Sequence, residues 1–273
     1  MKFGGNVIDA EQHTTFVSQT NVRTVKKTKK VELTHGSLFS GIGGFEEGAE
    51  RAGIKTIWNC ELEAYQNKVL HKINKYAEQY RDITSAEITR YVDIISGGFP
   101  CQDISVAGKM EGIKGERSGL WSDMFRIIWQ VRPQYVLIEN SPALLIRGFE
   151  QVLCDLSKAG YDAEWQTISN AAFGYPHLRK RLYIIAYTNK IRLQSDIHKN
   201  RSINSIFKQW SSNKNDGYSL SERILKIPTS NVIRNGNGVR YWTHRVGSLG
   251  NAVNPTVAHY LFECIKTHFE SIN

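Results

Sequence analysis

A cysteine follows a proline in Gly97-Gly98-Phe99-Pro100-Cys101-Gln102, where an apolar stretch over 92–95 gives way to glycines. The stretch reads as a strand, so Cys101 falls just past a strand's carboxyl end, the edge at which open α/β sheets bind ligands. A cysteine packed in an apolar core is inert. Glycines and a proline shape a loop instead, and a thiol there has the surroundings of a nucleophile. A second edge of this kind is Glu139-Asn140-Ser141-Pro142, directly after the apolar 135–138. Its carboxylate can serve as an acid or hydrogen-bond partner, or simply cap the next helix. A third is Phe39-Ser40-Gly41-Ile42-Gly43-Gly44, where a strand meets a helix. Glycines there let the backbone turn tightly against a nucleotide-like cofactor, although such a run also serves as a plain turn. Glu61 comes a few residues after the next strand-like stretch, about where a Rossmann-like fold places an acid on ribose hydroxyls; a carboxylate opening a helix is the alternative.

These positions need elements to hold them. Apolar residues predict strands ending at Leu38-Phe39 and over 54–58, 92–95, 135–138 and 182–187. Helical spacing runs from Phe45 through Ala49 and Ala52 to Gly53, and again over 62–75, 120–131 and 148–159. Strands alternating with helices imply a mostly parallel sheet covered on both faces, the α/β class. Between about 189 and 243 the pattern dissolves into a polar, basic stretch rich in Asn and Ser, with Phe207, Trp210 and Tyr218 scattered through it. A last helix over 256–269 carries Val257, Leu261 and Ile265 at four-residue intervals and can pack back against the sheet.

The chain has 273 residues, 41% hydrophobic and 22% charged, with 12 Tyr, 11 Phe and 6 Trp. That excludes wholesale disorder and leaves room for one large domain with a small second lobe. Lys and Arg number 35 against 26 Asp and Glu, a formal charge of +9, which favours a polyanionic partner such as nucleic acid. Cys60, Cys101, Cys154 and Cys264 lie far apart with no CxxC pair, so neither a zinc site nor a disulfide scaffold is indicated and a reducing cytoplasm is expected. No apolar run approaches the roughly 20 residues of a membrane span. Residues 1–30 lack apolar periodicity and finish in Lys26, Lys27, Lys29 and Lys30, the pattern of a flexible basic leader.

Taken in order, these segments resemble the cytosine-C5 DNA methyltransferases over nearly all of 33–266. Leu38-Phe39-Ser40-Gly41-Ile42-Gly43-Gly44 is similar to the family's first motif, Glu61 to its ribose-binding acid, and Asp82-Ile83-Thr84 to its adenine-contacting segment. Phe99-Pro100-Cys101-Gln102 resembles the catalytic motif, and Glu139-Asn140-Ser141 stands in the place of the family's Glu-Asn-Val. Arg179-Lys180-Arg181 resembles its Arg-x-Arg, and Gly250-Asn251-Ala252-Val253-Asn254-Pro255 the closing motif that returns to the cofactor pocket.

The resemblance implies a Rossmann-like methyltransferase fold with a mostly parallel sheet and a small irregular target-recognition lobe. It divides the chain into the leader, a catalytic domain over 31–190, a recognition region over 191–242, and a return to the catalytic domain over 243–273. It implies S-adenosylmethionine as cofactor, double-stranded DNA as partner, no metal and no membrane, a monomer, and room for an independently acting cognate restriction endonuclease. Cys101 would attack carbon 6 of a flipped cytosine, and Glu139 would contact ring nitrogen 3. Arg181 would hold the base's carbonyl oxygen and orient Glu139, while Arg179 would act near the cysteine and a phosphate; a solvated basic face is the alternative for both. Phe39, Ser40, Gly41, Ile42, Gly43, Gly44, Glu61, Asp82, Ile83, Pro100, Leu120, Asn251, Ala252 and Val253 would bind the cofactor. The glycine-rich, basic stretch from Gln102 to Gly119 suits a lid over the DNA backbone.

The chain departs from the family at three places. An acid often precedes the first motif's Leu-Phe, and here that residue is Ser37; the glutamine expected two positions before Arg179 is His177; the ninth motif is not recognisable. There are three rivals: the same chemistry on cytosine in RNA, which one branch of the family performs; a DNA-binding protein with a decayed site, which these departures keep open against intact Cys101, Glu139 and Arg181; and a nicotinamide-dependent Rossmann enzyme. The last explains the first glycine turn but gives the Pro-Cys-Gln and Glu-Asn-Ser segments no role.

Overall fold

The computed structural model describes residues 32–100, 119–188 and 252–272. The strands are β1 (Thr34–Leu38), β2 (Lys55–Cys60), β3 (Glu78–Tyr80), β4 (Ile94–Gly97), β5 (Tyr135–Asn140), β6 (Tyr161–Ser169) and β7 (Lys180–Thr188). The helices among the described residues are α1 (Gly44–Arg51), α2 (Ala64–Ile73), α3 (Gly119–Val131), α4 (Leu144–Arg147), α5 (Phe149–Lys158) and, closing the described chain, α6 (Pro255–Ile272). A 3-10 turn, Asn170–Phe173, links β6 to the approach to β7.

The seven strands form one sheet in the order β3-β2-β1-β4-β5-β7-β6. From β3 to β5 all neighbours are parallel; β7 runs antiparallel to both β5 and β6. The expected α/β class with a mostly parallel sheet is thus present. The chain leaves β1 toward β2 and β3 and returns to add β4 and β5 on the other side of β1. The sheet therefore switches direction of growth between β1 and β4, which opens a crevice beyond their carboxyl ends.

Side chains alternate across each strand, so the sheet divides the core in two. Val136 and Ile138 of β5, with Leu182, Ile184 and Ala186 of β7, meet Trp121, Met124 and Ile128 of α3 and Val152 and Leu156 of α5. Tyr135 and Leu137, with Tyr183 and Ile185, meet Phe45 and Ala49 of α1 and Leu261, Phe262 and Ile265 of α6. Each apolar side chain of this kind, fully buried, contributes about 1.5–3 kcal/mol.

Several polar groups inside the second layer are paired. His35 is fully buried, and burial pushes its pKa down to about 3, so the neutral ring bridges Thr56 Oγ1 at 2.9 Å and Ser96 Oγ at 2.8 Å. The Tyr135 hydroxyl meets His268 Nδ1 of α6 at 2.9 Å, and Lys266 Nζ donates to the Ala52 carbonyl at the end of α1 at 2.8 Å. Helices α1 and α6 approach closely because Gly48 has no side chain: a Cβ there would lie 2.8 Å from the backbone nitrogen of His259.

The structure refines several expected boundaries. β4 begins at Ile94; just before it, Asp93 Oδ2 accepts from Thr34 N at 2.8 Å and Thr34 Oγ1 at 2.7 Å. β5 continues through Glu139 and Asn140, which the sequence placed after the strand, and β7 already contains Arg181, which it placed before. β3, β6 and α4 were not anticipated. No described helix is long and apolar enough to cross a membrane, and the described residues contain no cluster of His, Cys, Asp and Glu able to hold a metal.

Candidate active site

The crevice over β1 and β4 is built from the first glycine turn. β1 ends at Leu38, and the chain reverses through Phe39, at φ 54°, Gly41 at φ 57° and Gly43 at φ 91° before α1 begins. Left-handed backbone is natural for the two glycines, and Phe39 adopts it despite its side chain, which packs against the core. The turn is fixed to β2: Ser40 N donates to the Cys60 carbonyl at 3.1 Å, and Gly41 N donates to Glu61 Oε2 at 2.7 Å. The other Glu61 oxygen accepts from Glu63 N at 2.9 Å. Glu61 and the glycine turn are therefore one unit at the ends of β1 and β2.

The other proposed cofactor residues fall around this unit unequally. Asp82, just past β3, is half-buried; its Oδ1 accepts from Thr84 N at 3.0 Å and Thr84 Oγ1 at 2.8 Å, which hold its pKa below the usual carboxylate range. The Ile83 side chain is instead buried in the core layer shared with α3, so only its backbone faces outward roles. Leu120 packs half-buried against that layer in the first turn of α3. Val253 comes to the turn from the far end of the chain, and a Cβ on Gly44 would collide with its carbonyl oxygen. Ala252 is half-buried beside it, and Asn251 lies outside the described residues.

At the end of β4, Gly97 is followed by Gly98, Phe99 and Pro100, and Cys101 lies outside the described residues. Phe99 is buried against Trp121, ring centroids 5.4 Å apart, which anchors the segment entering Cys101. Asn140, 2% exposed at the end of β5, donates from Nδ2 to the Phe99 carbonyl at 3.3 Å, while its Oδ1 accepts from Ser141 N at 2.8 Å. The ends of β4 and β5 are thus tied across the crevice.

Glu139, 8% exposed, leans over β4: a Cβ on Gly98 would sit 2.9 Å from its Oε2. Arg181 Nε lies 2.9 Å from Oε1, an ion pair whose N–H direction does not complete a hydrogen bond with that oxygen. The pairing follows from register. Glu139 is opposite Tyr183, and Arg181, two residues from Tyr183, shares its face and reaches Glu139 diagonally. Burial raises the Glu139 pKa, with Arg181 and then Arg179 pulling it back. Arg179 is lowered by burial and by Arg181, against the charges of Glu139 and Tyr183. The three proposed catalytic side chains described here are therefore electrostatically coupled.

Sequence reasoning missed what holds the arginines. Asn170 N donates to the Arg179 carbonyl at 3.1 Å, its Nδ2 meets His177 Nε2 at 2.8 Å, and its carbonyl accepts from Tyr175 N at 3.3 Å. The Tyr175 hydroxyl in turn pairs with Thr256 Oγ1 of α6 at 2.7 Å. His177, a departure from the expected glutamine, is thus part of the loop's scaffold. Nothing in the spacing of Asn170 marks it.

Beside the turn lie buried polar groups without hydrogen-bond partners among the described residues: both oxygens of Glu46 and both side-chain polar atoms of Asn59. Orphaned polar groups beside a glycine turn and the Glu61 carboxylate fit a polar, nucleotide-like cofactor such as S-adenosylmethionine.

A family model described as C-5 cytosine-specific DNA methylase matches residues 33–246. The type II methyltransferase M2.BsuMI of Bacillus subtilis is 37% identical over 158 residues, 55% of this chain and 41% of that one. The type II methyltransferase M.MspI of Moraxella sp is 28% identical over 214 residues, 76% of this chain and 51% of that one. The solved Entamoeba histolytica methyltransferase EhMeth is alike in fold, with a TM-score of 0.62 at 18% identity, covering 89% of this chain and 100% of that one. The chain spans about half the length of the curated relatives it matches. The match runs through the glycine turn, the Glu61 unit and the Glu139–Arg181 pair alike, and this chain belongs to the C-5 cytosine-specific DNA methylase family.

Proposed function

We propose that this chain transfers a methyl group to carbon 5 of cytosine in duplex DNA. The observation that carries the reading is the buried Glu139 carboxyl, paired with Arg181 and lying over Gly98 at the head of the segment that enters Cys101. Carbon 5 of cytosine is a poor nucleophile until a group adds at carbon 6. The Cys101 thiolate forms a bond to carbon 6, and the electron pair it displaces runs toward ring nitrogen 3. Glu139, raised by burial, supplies a proton or strong hydrogen bond to that nitrogen, so carbon 5 becomes an enamine carbon. Arg181 holds Glu139 in place and faces the base's carbonyl oxygen, and Arg179 adds positive potential beside them. S-adenosylmethionine, when bound, supplies a sulfonium methyl for carbon 5 to attack. Loss of the carbon-5 proton then restores the ring and expels Cys101. Glu61 receives the ribose hydroxyls, the Phe39 to Gly44 turn cradles the cofactor's chain, and Asp82 with the Ile83 backbone faces the adenine.

A base inside a duplex hides carbon 6, so the cytosine must be flipped at a cost of a few kcal/mol. We assign target recognition to 191–242 and closure over the DNA to Gln102 through Gly119; both lie outside the described residues. The polyanionic partner suits the formal charge of +9.

The test is transfer of a radiolabelled methyl group from S-adenosylmethionine to mixed-sequence duplex DNA and, in parallel, to transfer RNA. Label recovered as 5-methylcytosine in DNA, and lost in Cys101→Ser with S-adenosylhomocysteine binding kept, is the expected result. Label in RNA alone would replace the substrate. Label in neither, with cofactor still bound, would point to a decayed DNA-binding protein.

A further inference from the structure

Glu46 lies in the first turn of α1, immediately after the glycine turn, and only 3% of it is exposed. Neither oxygen has a hydrogen-bond partner among the described residues. The hydroxyls of Ser40 and Ser37 are close enough to favour its ionised form, but Ser40 Oγ is itself committed to Ser37, donating to Oγ at 3.0 Å. Burial dominates and pushes the carboxyl up to about 7. Asn59 is paired with Ser37 across the β1–β2 ladder, so it faces the same side of the sheet; it is fully buried and both its polar atoms are also orphaned. Two unsatisfied side chains, one in the first turn of α1 and one near the end of β2, mark a place for a ligand group that both donates and carries charge.

The layout of the cofactor says which group. Its ribose belongs at Glu61, beyond β2, and its reacting methyl must point toward Glu139 and the segment entering Cys101, beyond β5 and β4. β1 lies between β2 and β4, so the amino-acid end remains for the turn after β1. That end carries an ammonium. Both oxygens of Glu61 already accept backbone N–H groups, Asp82 is held by Thr84, and Glu47 is paired with Arg51 at 2.8 Å. The residue before Leu38, where the family often has an acid, is a hydroxyl here.

We propose that Glu46 is the counter-ion for the α-ammonium group of the cofactor, with Asn59 Oδ1 as a second acceptor. This rests on S-adenosylmethionine being the cofactor. Binding the ammonium converts Glu46 from a partly protonated to an ionised carboxylate and expels a proton near neutral pH. The titratable and charged groups on the surrounding elements are Glu61 after β2, whose charge raises Glu46 further, His35 on β1, kept neutral by burial, and Glu47, Glu50, Lys55, Lys72 and Lys75 of α1, β2 and the end of α2, which line one pocket with Glu46.

Calorimetry with two probes tests this: S-adenosylhomocysteine and its analogue lacking the α-amino group. Wild-type protein should bind the analogue at least about tenfold more weakly, and E46Q should weaken S-adenosylhomocysteine by a similar factor while no longer telling the two apart. In wild type, affinity for S-adenosylhomocysteine should fall as pH drops from 8 to 6, with proton release on binding near pH 7, and neither should be seen with the analogue. The wild-type comparison decides the matter even if E46Q does not fold. Equal binding of the two probes by wild type, or an equal loss for both in E46Q, overturns the Glu46 assignment and leaves the cofactor standing. Failure of wild type to bind either S-adenosylmethionine or S-adenosylhomocysteine overturns the cofactor and the assignment with it.

Discussion

Glu139 is held between two opposed effects, burial that favours its protonated form and the guanidinium of Arg181 at 2.9 Å that favours the carboxylate. A group poised in this way can hand over a proton and take it back. Glu139→Gln keeps the shape but cannot give a proton, and single-turnover methyl transfer is expected to slow by about 100-fold or more with DNA binding little changed. Because the acid form is the one required, the rate of that step should fall as pH rises through the raised Glu139 pKa. Gly98→Ala is a subtler probe. Its Cβ would meet a carboxylate at the end of a side chain, which can move aside. Stability should change by less than about 1 kcal/mol while transfer slows, a split read by chemical denaturation and quenched-flow on one preparation. Glu46 obeys the opposite economy. Its pKa rises from 4.5 to about 7 on folding, so the folded state binds the proton more tightly and loses stability as pH climbs between those values, roughly 3 kcal/mol in all. Cofactor-free Glu46→Gln should therefore melt higher than wild type at pH 8 and no higher at pH 4.5.

The contact between α1 and α6 depends on Gly48. A Cβ there would lie 2.5 Å from Ala258 Cβ and 2.8 Å from a backbone nitrogen, neither of which can turn away. Gly48→Val should cost about 2–3 kcal/mol in urea denaturation and weaken cofactor binding with it, since Val253 rides on the same contact. How far such features can be read from the sequence follows from what holds each element. α1, α3 and α6 announce themselves through buried apolar residues at helical spacing, and β1, β2, β5 and β7 through apolar runs. β3 is three residues, Glu-Gln-Tyr, and β6 carries Glu164, Trp165, Gln166 and Thr167 in its middle; both are edge strands, held by a neighbour's ladder rather than by an apolar signature of their own. Glu139 and Arg181 read as lying outside their strands because polarity marks the end of the core, whereas the ladder runs on into the site. The glycine turn, Glu61 and Glu139 were legible from their place at strand ends. Asn170, Glu46 and Asn59 were not, because an orphaned or bridging polar group is defined by its neighbours in space.

Across the whole molecule, the formal charge of +9 predicts that DNA affinity falls steeply with salt, with a log–log slope beyond about −2, the value for two or three phosphate contacts. Titrations of one duplex at several ionic strengths would show a shallow slope if base contacts alone carried binding. One feature of the architecture reaches beyond equilibrium. Helix α6 and Val253, which close the cofactor crevice against Gly44 and cover Phe45 and Ala49, come from far along the chain from the turn they complete. On the ribosome, β1 through β7 emerge first, with that face of the sheet still bare to chaperones and to other nascent chains. The crevice gains its last wall only when α6 leaves the exit tunnel. A nascent chain stalled before Val253 should carry Cys101 and Glu139 yet fail to retain S-adenosylhomocysteine.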